Sequence, residues 1–375
     1  MLNNPLKTIQ NFKQSIWQDD LNRKMLTEKE LQRLIEEDGI RGVTSNPAIF
    51  KKAIDGSPEY DDEIRALARQ GKSVEEIYEH LTVQDVQMAA DLFRPLYDDS
   101  EGKYGFVSLE VNPHLAHDID GTLDEARHLW EALSRPNVMI KIPATQEGLT
   151  CIEQLIAEGL NINVTLLFGL PRYRQVAQAY IRGLEARAAK KAPLERIASV
   201  ASFFLSRIDV LVDPMLKKLK EDRPADIETV DQIYGKVAVA SAKCAYQIYQ
   251  EIFTGERFTA LERKGARPQR LLWASTSTKE PEFSDIKYVE ALIGPNTINT
   301  LPRETLDAYR DHGQPEQRLT DDQDEAHQAL HSLAELGIDI DRLTQDLEDQ
   351  GVDKFIKPYD SLMQTLEKER NKALI

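Results

Sequence analysis

The chain has 375 residues, and 47 Lys and Arg against 63 Asp and Glu give a formal net charge of −16. That balance argues against a general binder of nucleic acid or of anionic membranes, which needs a basic face to neutralise phosphates, while leaving room for a local basic pocket. A hydrophobic fraction of 41% suits an ordinary packed core, and 18 Gly and 17 Pro are too few for a collagen-like or low-complexity chain. No stretch reaches the roughly 18 apolar residues of a membrane span, and the start MLNNPLKTIQNFKQ lacks the apolar run of a signal peptide, so the expected location is the cytoplasm. Cys151 and Cys244 lie in helical stretches without a CxxC pattern, which reads as two buried thiols rather than a disulfide or a zinc site.

Along the chain, short β-prone runs alternate with helical ones. Ser15 to Asp20 is the first, followed by Thr27-Glu28-Lys29-Glu30 read as a capping box, Leu31, Leu34 and Ile35 at helical spacing, and Gly39 as the stop. Gly42 to Asn46 is the second, with Ser57-Pro58 and Ser73-Val74-Glu75-Glu76 opening helices in an enlarged connection that reaches about Tyr97. Phe106 to Val111 leads to a second predicted capping box at Thr122 to Glu125, and Val138 to Ile142 leads to a helix with Leu149, Ile152, Leu155 and Ile156. Ile162 to Phe168, Val200 to Leu205, Leu271 to Ser275 and Thr297 to Leu301 supply the remaining β-runs. Eight such runs, apolar because parallel strands are buried on both faces, predict an α/β fold of the (β/α)8 TIM-barrel type with helical insertions. An open doubly wound sheet is the alternative, and the lack of a Gly-rich phosphate loop after the first strand counts against its dinucleotide-binding version. From Arg303 onward the pattern is helical only, without a Ser/Gly-rich spacer. One enlarged barrel domain is therefore expected over 1–375, with core elements from about 15 to 302 and a C-terminal helical extension over 303–375.

Barrel active sites lie at the C-terminal ends of the strands, so polar residues on or after the apolar runs carry the information. Those are Asp19, Asn46, Glu110, Lys141, Asn163, Thr165, Ser202 and Arg207. Lys141, between Ile140 and Ile142, would be costly to bury as an unpaired ammonium. It is either an amine adapted to attack a carbonyl or a strand-edge lysine whose head reaches solvent or a carboxylate. Asp19 and Glu110 are proton-transfer groups or ion-pair partners, and Asn163 and Thr165, two apart, face the same side of their strand. His114 and His117 form an HxxH without an evident third ligand, so no metal is expected.

Four segments in order resemble the signatures of the transaldolase family: Thr44-Ser45-Asn46-Pro47, Val138 to Thr145, Asn163 to Phe168 and Ser202 to Arg207. The likeness covers roughly Asp19 to Pro302 and implies a Schiff-base mechanism without metal or cofactor. In that reading Lys141 forms an imine with a ketose phosphate such as sedoheptulose 7-phosphate or fructose 6-phosphate. Asp19 takes the hydroxyl proton as the C3–C4 bond breaks, and Glu110 works through a water held with Thr165. Asn46 and Asn163 hold the dihydroxyacetone unit, Phe204 belongs to the same site, and Ser202 and Arg207 match the phosphate end. Many members carry a second arginine after the seventh strand, where this chain has Ser277; Lys279 is the expected replacement cation. The implied partners are sugar phosphates, without nucleic acid or membrane, and a homodimer is one assembly the sequence leaves open. The rivals are fructose-6-phosphate aldolase, whose pattern has glutamine at the place of Glu110 and tyrosine at that of Phe204, and a non-catalytic sugar-phosphate-binding barrel.

Overall fold

The eight apolar runs form eight short parallel strands that close on themselves in chain order: β1 (Ser15–Gln18), β2 (Gly42–Val43), β3 (Phe106–Glu110), β4 (Val138–Pro143), β5 (Ile162–Leu167), β6 (Ser199–Phe204), β7 (Arg270–Ala274) and β8 (Thr297–Leu301). The computed structural model describes residues 4–374. Closure is made by β1 against β8, in register from Ser15 with Ile298 to Gln18 with Leu301. β2 is only two residues long, and its glycine is dictated by packing: a Cβ on Gly42 would stand 2.5 Å from the Trp17 ring. The strands are buried on both faces, as the uninterrupted Val138–Pro143 and Ile162–Leu167 runs require.

After β1 a short helix, Arg23–Thr27, precedes the one that carries Leu31, which begins only at Glu30. Asn22 is the N-cap of the short helix, accepting from the Met25 amide, and Thr27 sits at its end with its hydroxyl donating to Arg23 O. The expected capping box at Thr27 is therefore not formed. The one at Thr122 is not formed either. Asp118 caps the helix Ile119–Leu133 one turn upstream, Thr122 donates to Leu115 O, and Glu125 accepts from the Asn112 amide instead of closing a box. Ser73 and Glu76 do form a reciprocal capping box, at the start of the helix Val74–Asp99. Cys151 and Cys244 are buried and free.

β8 is followed by the helices Arg303–His312, Gln323–Glu335 and Ile340–Ala373. The last of these packs on Pro47–Ile54, Pro58–Arg69 and Val74–Asp99 and touches β5, so it crosses the barrel on the side where the strands end. Two contacts fix it there. Arg172 on Leu170–Ala189 forms an ion pair with Glu348 at 2.9 Å, both side chains being largely buried, and Gly351 lets the helix approach Leu166, whose Cδ2 would lie 3.0 Å from a Cβ at that position. No helix among the described residues is long and apolar enough to cross a membrane.

Burial raises the Glu125 carboxyl from 4.5 to about 7. A carboxyl whose value is raised on folding stabilises the fold fully below its unfolded value, and that contribution is lost as pH rises through the folded value. The native chain should thus lose stability, on the order of 3 kcal/mol at most, between pH values below about 4.5 and above about 7. Glu125→Gln, which keeps an oxygen acceptor for Asn112, should remove that part of the loss. Urea unfolding at acid and mildly alkaline pH, wild type against variant, checks it; equal losses in both would disprove it.

Candidate active site

Lys141 lies on β4 directly opposite Glu110 on β3. Its amine, only 4% exposed as a residue, donates to Glu110 Oε1 at 2.7 Å and to Ser45 O at 2.7 Å. Ser45, just past β2, also donates its hydroxyl to Ser108 O and, at 3.2 Å, to Glu110 Oε2. The lysine has the carboxylate partner that one reading expected, and the two line a cavity together. Burial holds the Glu110 carboxyl above the usual carboxylate range, and the neighbouring ammonium only partly offsets that.

β5 carries a bulge opposite β6. Val164 pairs with Ala201 and Leu167 with Phe203, so two residues of β5 oppose one of β6. Leu166, inside the bulge, has a φ of 56°, a left-handed conformation that costs a non-glycine residue about 1–3 kcal/mol. Thr165, on the same face of the strand as Asn163 and paired with Pro143 of β4, has its hydroxyl buried without a protein partner. Glu110, Lys141 and Thr165 enclose a cavity of about 10 Å³, roofed by Val352 and Phe355 of the C-terminal helix. That is close to the volume that one water occupies. Phe355 sets its ring 5.9 Å from the Lys141 amine.

On the other side of Lys141 a larger cavity, about 270 Å³, opens toward the barrel mouth and is lined by Asp19, Asn46, Phe204 and Arg207 among others. Asp19, rather than its neighbour Asp20, faces it. Thr44 donates to Asp19 at 2.6 Å and is itself 2.7 Å from the Thr300 hydroxyl, and burial raises the Asp19 carboxyl against the pull of Lys141. Asn46 caps the helix Pro47–Ile54 through Oδ1, which accepts from the Ile49 amide. Asn163 and Ser202 meet inside the barrel: Ser202 donates to Asn163 Oδ1 at 2.7 Å, and Asn163 donates to Ser108 at 2.9 Å. The sequence grouped Ser202 with Arg207; its hydroxyl is engaged with Asn163.

Arg207 stands in the first turn of Ser206–Asp222, 5.5 Å above the Phe204 ring, and its Nη1 is buried without an acceptor. Burial lowers its affinity for its proton. Lys279 lines the same cavity, is exposed, and donates to Ser277 at 2.5 Å. A further cation there escaped the sequence reading. Lys354, from the C-terminal helix, lines the cavity, and burial together with repulsion from Arg207 and Lys357 pushes its amine below the usual lysine range. Lysine in an amphipathic helix nearly 150 residues after Arg207 carries no local signal of this position. The histidines of the HxxH go separate ways, His114 to Asp360 at 2.7 Å and His117 to Glu147 at 3.1 Å.

The model of the Transaldolase/Fructose-6-phosphate aldolase family matches residues 16–366. The chain belongs to that family. It is 47% identical over 376 aligned positions to a transaldolase of Trichodesmium erythraeum, covering 99% of both chains. A transaldolase of Thiobacillus denitrificans is 48% identical over 96% of this chain and 99% of its own, and one of Saccharopolyspora erythraea is 45% identical over 99% of each. The family expected from four short motifs is the one found. Its transaldolase relatives, matched over nearly their whole length, make the chain an enzyme of the transferase class.

Within this family site the buried amide of Asn163 is also structural. Asn163→Ala leaves two interior hydroxyls without their partner and should cost about 1–3 kcal/mol. It should appear as a lower urea midpoint at unchanged slope, while Lys354→Ala, at an exposed position, stays within about 0.5 kcal/mol of wild type. Equal effects of the two would refute the assigned network.

Proposed function

We propose that the chain transfers a dihydroxyacetone unit from a ketose phosphate, sedoheptulose 7-phosphate or fructose 6-phosphate, to an aldose phosphate through an imine on Lys141, as a transaldolase of the pentose phosphate pathway. The observation that carries this is the Lys141 amine held 2.7 Å from Glu110 beside an unpartnered Thr165 hydroxyl. Glu110, raised by burial, accepts the proton that the ammonium must lose before its lone pair attacks the ketone carbon. The same group, through a water bound to it and Thr165, returns the proton when the carbinolamine loses hydroxide as water. The resulting iminium draws the electron pair of the C3–C4 bond, Asp19 takes the proton of the C4 hydroxyl, and the aldose phosphate leaves. A second aldose adds to the enamine carbon, and the steps run in reverse until water frees Lys141.

Asn163 and Ser202, deep in the barrel, suit the hydroxyls of the dihydroxyacetone end, with Asn46 at the rim. Arg207 suits the phosphate, since a guanidinium matches two of its oxygens at once. Lys279 and Lys354 supply point charges beside it, which fills the place of the second arginine that many members have. Val352 and Phe355 close the small cavity, which supports treating the C-terminal helices as part of one catalytic domain. We place the reaction in the cytoplasm, where its substrates would be met.

A coupled assay with fructose 6-phosphate decides between transfer and cleavage. Release of glyceraldehyde 3-phosphate should require added erythrose 4-phosphate, and Glu110→Gln should lower the acceptor-dependent rate by about 10²–10⁴-fold. Full turnover without acceptor, releasing free dihydroxyacetone, would make the enzyme an aldolase instead.

A further inference from the structure

Positive charge is concentrated at a second place, on the face of the barrel where the strands begin. A cavity of about 270 Å³ opens there, lined by Arg267 and Arg270 with Lys13, Lys103 and Tyr104 around it. Its size is at the small end of ligand pockets. Two more guanidiniums back it: Arg41 lies 4.0 Å over the Tyr104 ring, which Arg270 approaches at 5.7 Å from its own position, and Arg196 lies 5.7 Å over Tyr97.

The polar partners of these arginines are neutral. Arg41 donates to Gln10 Oε1 at 2.6 Å, Arg267 to Glu101 O at 2.7 Å and Arg270 to Lys103 O at 3.1 Å. Arg174 and Arg257 each meet a carboxylate at 2.7 Å, whereas Arg187, like the arginines of the cavity, meets a backbone carbonyl. Arg267 Nη1 is moreover buried with no acceptor at all. Burial, with the mutual repulsion of Arg41, Arg267 and Arg270, brings Arg270 down to about 10, and burial with repulsion from Arg196 lowers Arg267; the carboxylate of Glu101 is the weakest influence on it. Like charges held together without a carboxylate partner repel one another, and an anion between them would offset that cost.

We propose that this cavity at the N-terminal face is a binding site for a small phosphate-bearing anion, gripped by Arg267 and Arg270, with Lys13 and Lys103 at its rim. Planar guanidiniums offer the paired donors that phosphate oxygens accept, and Arg267, whose Nη1 has no acceptor within the protein, has donor capacity to spare. Inorganic phosphate and the phosphate monoester of a small metabolite share this chemistry. The site is separate from the catalytic mouth and uses none of its residues.

Equilibrium dialysis of the full chain with labelled inorganic phosphate, at low ionic strength, counts the sites. Arg267→Met should bind one phosphate per chain fewer than wild type, while Arg207→Met, altered only at the mouth, keeps the N-terminal site. Equal stoichiometry in wild type and Arg267→Met would overturn the proposal. If Arg267→Met does not give the wild-type circular dichroism spectrum, the double variant Lys13→Glu/Lys103→Glu, at two exposed positions, replaces it. It should weaken phosphate binding in the Arg207→Met background at least tenfold, and unchanged affinity there is the contrary result. Glycerol 3-phosphate displacing the label more tightly than phosphate itself would identify an organic phosphate as the ligand, and weaker displacement would identify inorganic phosphate.

Discussion

A buried ammonium must be compensated within hydrogen-bond reach, and much of this molecule is arranged around that requirement for Lys141. Its strand is enclosed by its neighbours, so solvent cannot supply the compensation, and Glu110 with the Ser45 carbonyl supplies it instead. The pair is possible because β3 and β4 are in register at these two residues. Burial works against the carboxylate as well, and holds Glu110 above the usual carboxylate range despite the ammonium beside it. The regular register of β5 with β4 brings Thr165 beside the pair, and the C-terminal helix covers them.

That helix lines both the small cavity at Lys141 and the larger one at Arg207. Within one turn it presents Val352 and Phe355 over the lysine and Lys354 toward Arg207. Its approach depends on Gly351 against Leu166 and on the largely buried Arg172–Glu348 pair. The chain beyond the barrel is thus tied to the chemistry by contact rather than appended to it. Charge follows the same economy of place. Arg207 with Lys279 and Lys354 at one end of the barrel, and Arg267 with Arg270 at the other, are two groups of cations without carboxylate partners.

The barrel was legible because parallel strands buried on both faces have to be short apolar runs, and all eight runs are strands. The catalytic candidates were legible for the complementary reason: a lysine or glutamate inside such a run stands out. Helix starts were less so. Thr27 and Thr122 satisfy the capping-box spacing, yet Thr27 ends a short helix of its own capped by Asn22, Asp118 caps one turn before Thr122, and tertiary contacts draw Thr122 and Glu125 to Leu115 and Asn112. Lys354 and Phe355 were invisible, since an amphipathic helix offers many equivalent residues and only its crossing of the barrel selects these two. Ser202, matched with Arg207 to the phosphate end by the family resemblance, lines the same cavity as Arg207, and strand alternation also gives its hydroxyl Asn163 as a partner, which the sequence did not reveal.

The imine on Lys141 is the claim on which the functional account rests. Borohydride reduction of the full chain in the presence of fructose 6-phosphate, followed by digestion and peptide mass analysis, tests it directly. The account predicts a three-carbon unit attached to the peptide that contains Lys141, formed only with both reagents and lost in Lys141→Met. No adduct, or an adduct on another lysine of the cavity such as Lys354 with Lys141 unmodified, would contradict it.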